Sequence, residues 1–167
     1  EVVIEGKRKL YVHTDGTLSY SGGAAEDGSR FAVAAADAAH ISRAELCAAA
    51  RGLIGALTQG RIGDAALFLS GIESDDDDGA TVFFDYMAGG TPIRFADGSH
   101  AAEVRIEGQS ITAFSLRLRR YTLTERDSLL LPLALSRAIA QRYPGCELTV
   151  AYIDSYGDSV GASWIAD

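Results

Sequence analysis

The sequence predicts an α+β fold: two similar units of antiparallel sheet, each crossed by one helix, in the order β-β-α-β and then β-β-β-α-β. Three observations point there. From Glu103 to Leu118 the chain alternates, with Val104, Ile106, Phe114, Leu116 and Leu118 on one face and Glu103, Arg105, Ser115, Arg117 and Arg119 on the other. A sheet with one wet face is an antiparallel sheet. Two other stretches carry apolar residues at helical spacing, and Gly- and Pro-containing breaks separate the segments. The 167 residues are read as one compact domain over 1–167, or as two repeat-like units at about 1–78 and 79–167.

Val2-Val3-Ile4, Lys9 to His13 and Leu18 to Tyr20 read as short strands, with Thr14-Asp15-Gly16-Thr17 as the turn of a hairpin. Glycines at 22, 23 and 28 mark a loop. Ser42-Arg43-Ala44-Glu45 has the form of a capping box, and Leu46, Ala49, Ala50, Leu53 and Leu57 then form one helical stripe ending before Gly60. Ala65 to Ile72 reads as a buried strand. Asp75 to Asp78 sits between it and a second strand, Thr81 to Tyr86. Gly89-Gly90-Thr91-Pro92 imposes a break with an extended strand after it. Glu103–Glu107 and Ile111–Tyr121 are strands joined across Gly108-Gln109. A second helix carries Leu131, Leu135, Ala138 and Ile139 and ends near Tyr143, where Pro144-Gly145 stops it. Leu131, Leu135 and Ile139 are expected to be buried, as are Leu46, Leu53 and Leu57. Glu147 to Ile153 returns as a strand, and Trp164-Ile165 adds an edge strand or folds back on the sheet.

A formal charge of −8 argues against a sequence-independent grip on nucleic acid, which needs a basic surface to displace counterions. No apolar run reaches the roughly 18 residues that cross a bilayer. The chain opens at Glu1 without an initiator Met, which fits a trimmed or mature form whose signal or anchor lies upstream. Cys47 and Cys146 set no disulfide framework and cannot alone complete a four-ligand zinc site.

Gly-x-Ser-x-Gly, P-loop, His-Glu-x-x-His and dinucleotide-binding patterns are all absent from the sequence. His13, His40 and His100 lie far apart in sequence, so a catalytic site would need their loops to converge. Asp75-Asp76-Asp77-Asp78 lacks the alternating ligands and distal Glu of a calcium loop and reads as a solvated tip, with a weak divalent-ion site as the alternative. Arg120 falls on the side of Leu116 and Leu118, where it needs water or an ion-pair partner, with Glu125 or Asp154 as candidates. Tyr152, Tyr156 and Trp164 gather near Asp154 and Asp158, either as packing or as a binding patch. No catalytic, cofactor or metal residue is assigned. The candidate interaction surface combines Arg105, Arg117 and Arg119 with Tyr121, because Arg and aromatic anchors dominate interface energies.

Val82-Phe83-Phe84-Asp85-Tyr86, Gly90-Thr91-Pro92-Ile93, the strand pair ending Arg119-Arg120-Tyr121, and Leu131-Pro132 with Ala134 and Ala138 ahead of Leu148 to Tyr152 resemble the YycH and YycI proteins and the broader PepSY-like modules. The likeness covers residues 80–154. It implies an extracytoplasmic protein, anchored by a membrane helix upstream, that regulates a membrane histidine kinase by contact. The expected function is accordingly a non-catalytic protein-interaction domain. The alternatives are a peptide- or lipid-binding domain with a cleft between the two units and, less favoured, a hydrolase.

Overall fold

The computed structural model describes residues 1–22, 31–34, 41–74 and 79–166. Among them the chain order is β1 (Val2–Glu5), β2 (Arg8–Val12), β3 (Thr17–Ser21), α1 (Arg43–Thr58), β4 (Ala65–Ser74), β5 (Gly79–Ala88), β6 (Thr91–Phe95), β7 (Ala102–Glu107), β8 (Ser110–Arg117), α2 (Leu133–Ala140), β9 (Leu148–Asp154) and β10 (Gly161–Ala166). The acidic run Asp75 to Asp78 and His40 lie outside the described residues.

The strands form one mixed sheet of 10 in the order β1-β2-β3-β8-β7-β5-β6-β9-β10, with β4 paired to β5 off that path. The expectation of two antiparallel units, each crossed by one helix, is therefore corrected: the fold is mainly β, with one sheet and two helices of 16 and 8 residues among the described residues. The reason lies in the hydrogen-bond ladders. β3 pairs with β8 and β4 with β5, so strands from the two halves of the sequence share one sheet. β6 and β9 run parallel, which a pair of antiparallel units does not contain.

β5 organises the sheet. One of its edges pairs with β4 along its length, from Ala65↔Ala88 to Ser74↔Ala80. The other edge is divided: Gly79 to Phe84 pair with β7, and Tyr86 to Ala88 pair with β6. Beyond this fork the β7 side continues into β8, β3, β2 and β1, while the β6 side continues into β9 and β10.

Each side has its own core. On the β7 side, Ala50 and Ile54 of α1 pack with Val82, Phe84, Val104, Ile106, Phe114 and Leu116. The alternation anticipated for Val104 through Leu116 is present, and β7 and β8 are antiparallel. Ser42 caps α1 with its side chain and Glu45 returns the bond, as the capping box requires. Ala50 and Ile54 are fully buried, while Leu46, Leu53 and Leu57 are half-buried around them. On the β6 side, Tyr86, Ile93, Phe95, Ala101 and Tyr121 fill the second core.

The second helical stripe is a correction. Leu131, Leu135 and Ile139 are 53%, 50% and 46% exposed rather than buried. Neither core contains a residue of α2, which meets the sheet chiefly at β9, one strand from its edge.

Ile54→Ala is expected to cost about 2–5 kcal/mol in denaturant melts, the range for emptying a buried aliphatic site. Leu135→Ala is expected to cost under about 0.5 kcal/mol, as an exposed position should.

Candidate functional site

The four residues expected to form an interaction surface do not remain together on the wet face. Arg105 lies on β7, exposed, with Nε donating to Glu107 at 2.9 Å. Arg117, Arg119 and Tyr121 gather at the far end of β8, where they are committed to contacts within the protein. β8 ends at Arg117, so the strand alternation that placed Arg119 outward and Arg120 inward does not extend that far. Arg119, not Arg120, pairs with Asp154, and Arg120 is exposed.

Asp154 is the centre of this cluster and is fully buried. Parallel pairing of β6 with β9 sets Asp154 opposite Phe95 at the end of the ladder. Its carboxylate accepts from Arg119 Nε and Nη2 at 3.0 and 3.1 Å, from the Tyr121 hydroxyl at 2.8 Å and from the Tyr156 backbone N–H at 2.7 Å. A buried carboxylate is tolerated only when its charge is countered and its lone pairs are filled, and both conditions are met here. Burial, then the hydrogen bond and charge of Asp154, push the Tyr121 hydroxyl far above the ordinary tyrosine range. The backbone of Tyr121 is held in turn by Ile62 O and Asp64 N–H. Gly63 sits against the Tyr121 carbonyl at φ +69°, where a Cβ would collide with that oxygen.

Around this centre lies an aromatic and charged belt. Phe95 and Tyr156 stack at 5.6 Å, and the Arg117 guanidinium lies 5.4 and 5.5 Å from their ring centroids. Arg117 also bonds the Tyr156 hydroxyl and lies 3.3 Å from Asp97, which accepts from that hydroxyl at 2.7 Å. Hydrogen bonds from Ser99 and Tyr156 hold the Asp97 carboxyl well below the usual range. Tyr156 has φ +65°, a left-handed backbone that its stacking and its N–H bond to Asp154 hold in place. Tyr86 closes the cluster from beneath: its hydroxyl donates to Arg117 O at 2.8 Å, and burial pushes it up to about 12.

A second buried carboxylate, Asp85, lies at the fork of β5. It accepts from Arg94 at 2.9 Å, from His100 Nδ1 at 3.1 Å and from Ala101 N–H at 3.3 Å. Ser70 Oγ lies 3.5 Å from the same Nδ1. Ser, His and Asp are thus close together, but a proton relay needs the carboxylate on one ring nitrogen and the hydroxyl on the other. Here both face Nδ1, so the order of a relay is not present, and the side chains join β4, β5, β6 and the residues just before β7. His13 is elsewhere, beside Tyr11 and Ser19. Among the described residues no group of three or more His, Cys, Asp or Glu is placed to hold a metal ion.

Two hollows were further candidates for a ligand. A polar cleft of about 450 Å³ is bounded by Arg119, Arg120, Tyr121, Asp158 and Asp15. It presents charges of both signs, and its deepest cation, Arg119, already serves Asp154. An apolar hollow of about 270 Å³ lies between Val3, Leu10, Leu18, Tyr20, Phe31 and Phe114. It is under β1–β3, not at the junction of two units.

The surface that sequence reasoning missed is the leucine segment before and along α2. Leu129 is 100% exposed, and Leu131, Leu133, Leu135, Ile139 and Tyr143 are all exposed large hydrophobics. In α2 the buried residue is Ser136, so the helix turns its polar small residue inward and its leucines outward. Bonds from Trp164 Nε1 to Leu131 O at 2.8 Å and from Ala162 N to Ser128 Oγ at 3.3 Å tie this segment to β10. Helical spacing located the apolar stripe but not its direction. The available signal for Asp85 was a lone carboxylate inside the apolar run Val82 to Tyr86.

Asp154→Ala strands the Arg119 charge and the Tyr121 hydroxyl, and is expected to cost about 3–5 kcal/mol. Tyr121→Phe removes one bond to a buried carboxylate and should cost about 1.5–3 kcal/mol. The raised Tyr86 hydroxyl contributes stability that is complete below its ordinary value of 10.0 and is lost as pH rises through about 12. Alkaline melts should therefore lose stability across that window, and Tyr86→Phe should remove this share of the loss.

Compared with protein families, curated proteins and solved structures, the chain matches none, and nothing there links it to the YycH and YycI proteins or to PepSY-like modules.

Proposed function

We propose that this chain is a non-catalytic docking domain that works by placing the exposed leucine face of residues 129–143 against another surface. One observation carries this reading: Ser136 is the buried residue of α2, while Leu133, Leu135 and Ile139 are exposed to solvent. A helix in water buries its apolar stripe, and contiguous apolar patches rimmed by polar residues mark interaction sites. The remaining architecture suits a scaffold. The arginine–tyrosine–aspartate cluster fixes the Asp154 end of β9; β9 pairs with β10, which bonds to the segment, and Arg119 and Asp154 are paired with each other. This moves the docking surface away from the arginines named at the outset. The finer form of the proposal, an extracytoplasmic regulator acting on a membrane sensor kinase, is supported by the resemblance over residues 80–154 alone.

A single thiol at position 135 tests the docking reading without naming the occupant. In the full chain carrying Leu135→Cys with Cys47→Ser and Cys146→Ser, maleimide should label the purified protein freely. In the cells that make the protein, labelling should be slowed at least about tenfold, the protection a covered site affords over an open one. A control thiol at Arg105 should react equally in both. Equal labelling of position 135 in both settings sinks the reading.

A further inference from the structure

Resting on that docking reading, we propose that the surface met by residues 129–143 is an anionic phospholipid membrane, on which α2 lies flat. The first reason is charge. Between Ser128 and Cys146 the only ionised side chains are Arg137 and Arg142, both exposed, and acidic residues resume at Asp127 and Glu147. A chain of net charge −8 thus has this exposed apolar segment marked by cations alone. Cationic residues beside an apolar face are the pattern of helices that lie in the interface of anionic bilayers.

The second reason is the place of the cation on the helix. At about 100° per residue, Ala134, Ala138, Leu135 and Ile139 occupy an unbroken arc of roughly 140° around α2, and Arg137 stands between that arc and Leu133. All of these residues are exposed, and Ser136 is buried. An arginine at the margin of an apolar arc can lay its aliphatic stem along acyl chains and carry its charge to the headgroups. Tyr143, 62% exposed next to Arg142, has the amphipathic ring found at headgroup depth. A second copy of the chain fits less well: a two-fold contact of this face with itself sets arginines against arginines with no carboxylate between Ser128 and Cys146.

The chain contains its own reporter. Its one tryptophan, Trp164, donates its indole N–H to Leu131 O, at the edge of the proposed contact. The full chain is mixed with vesicles of phosphatidylcholine alone, or of phosphatidylcholine with phosphatidylglycerol at about one part in three. Binding is followed by sedimentation and by Trp164 emission. The expected result is binding to the anionic vesicles, with a blue shift of Trp164, and much weaker binding to the neutral ones. Leu135→Ser/Ile139→Ser should reduce the partition coefficient by about tenfold or more, with its thermal midpoint close to that of the parent chain. Arg137→Gln/Arg142→Gln should reduce it by roughly fivefold per arginine. Absence of binding, equal binding to both vesicles, or undiminished binding by the leucine–isoleucine variant overturns the proposal. If vesicles fail while the thiol at 135 is covered in cells, the docking reading stands with a protein as its occupant. If both fail, both readings fall.

Discussion

The division of the outer edge of β5 between two partners is the constraint on which the rest of the structure depends. A strand edge offers one row of hydrogen-bonding groups, and here Phe84↔Ala102 is the last pair with β7 while Tyr86↔Ile93 is the first with β6. Between them Asp85 must sit where the ladder changes hands. Backbone groups at such a gap need partners, and the Asp85 carboxylate supplies one to Ala101 N–H while binding Arg94 and His100. The charged side chain in the middle of an apolar strand is thus explained by the fork. Through it one sheet grows two wings, each with its own core.

On the β6 wing, polar organisation takes over from apolar packing. Asp154, buried at the end of β9, gathers Arg119, Tyr121 and Tyr156 from two stretches that are distant in sequence. Such a cluster specifies geometry more than it adds stability, because desolvating the charges offsets much of what their pairing returns. The geometry it specifies is the path of the chain after β8 and after β9, including the left-handed backbone at Tyr156. α2 meets the sheet chiefly at β9, one strand from its edge, and adds no residue to either core. Ser136 is its buried residue, and Leu133 and Leu135 are exposed.

An arginine-rich strand end and an apolar helix stripe show how far tertiary contacts set a residue's surroundings. Arg117 and Arg119, expected on a contact surface, have ion-pair partners within the molecule. Leu131, Leu135 and Ile139 look like core but are the exposed surface. In both cases local pattern describes what a residue can do, and the supply of partners decides which of those things it does.

Short-range physics, and therefore the sequence by itself, determined most elements. The capping box at Ser42 and Glu45, the hairpin turn at Thr14–Thr17, the break at Gly89-Gly90 and the alternation through Val104 and Phe114 depend on neighbours within a few residues, and each is present. The tertiary structure alone decided how those elements share edges. Whether two antiparallel units close on themselves or fuse into one mixed sheet depends on pairings such as β3 with β8 and β6 with β9, which join segments about a hundred and about sixty residues apart. Hydropathy period is the same for a strand in either arrangement. It also decided which carboxylate pairs with which arginine and which way α2 faces, because burial is set by the space left by other elements and not by the period of the helix itself.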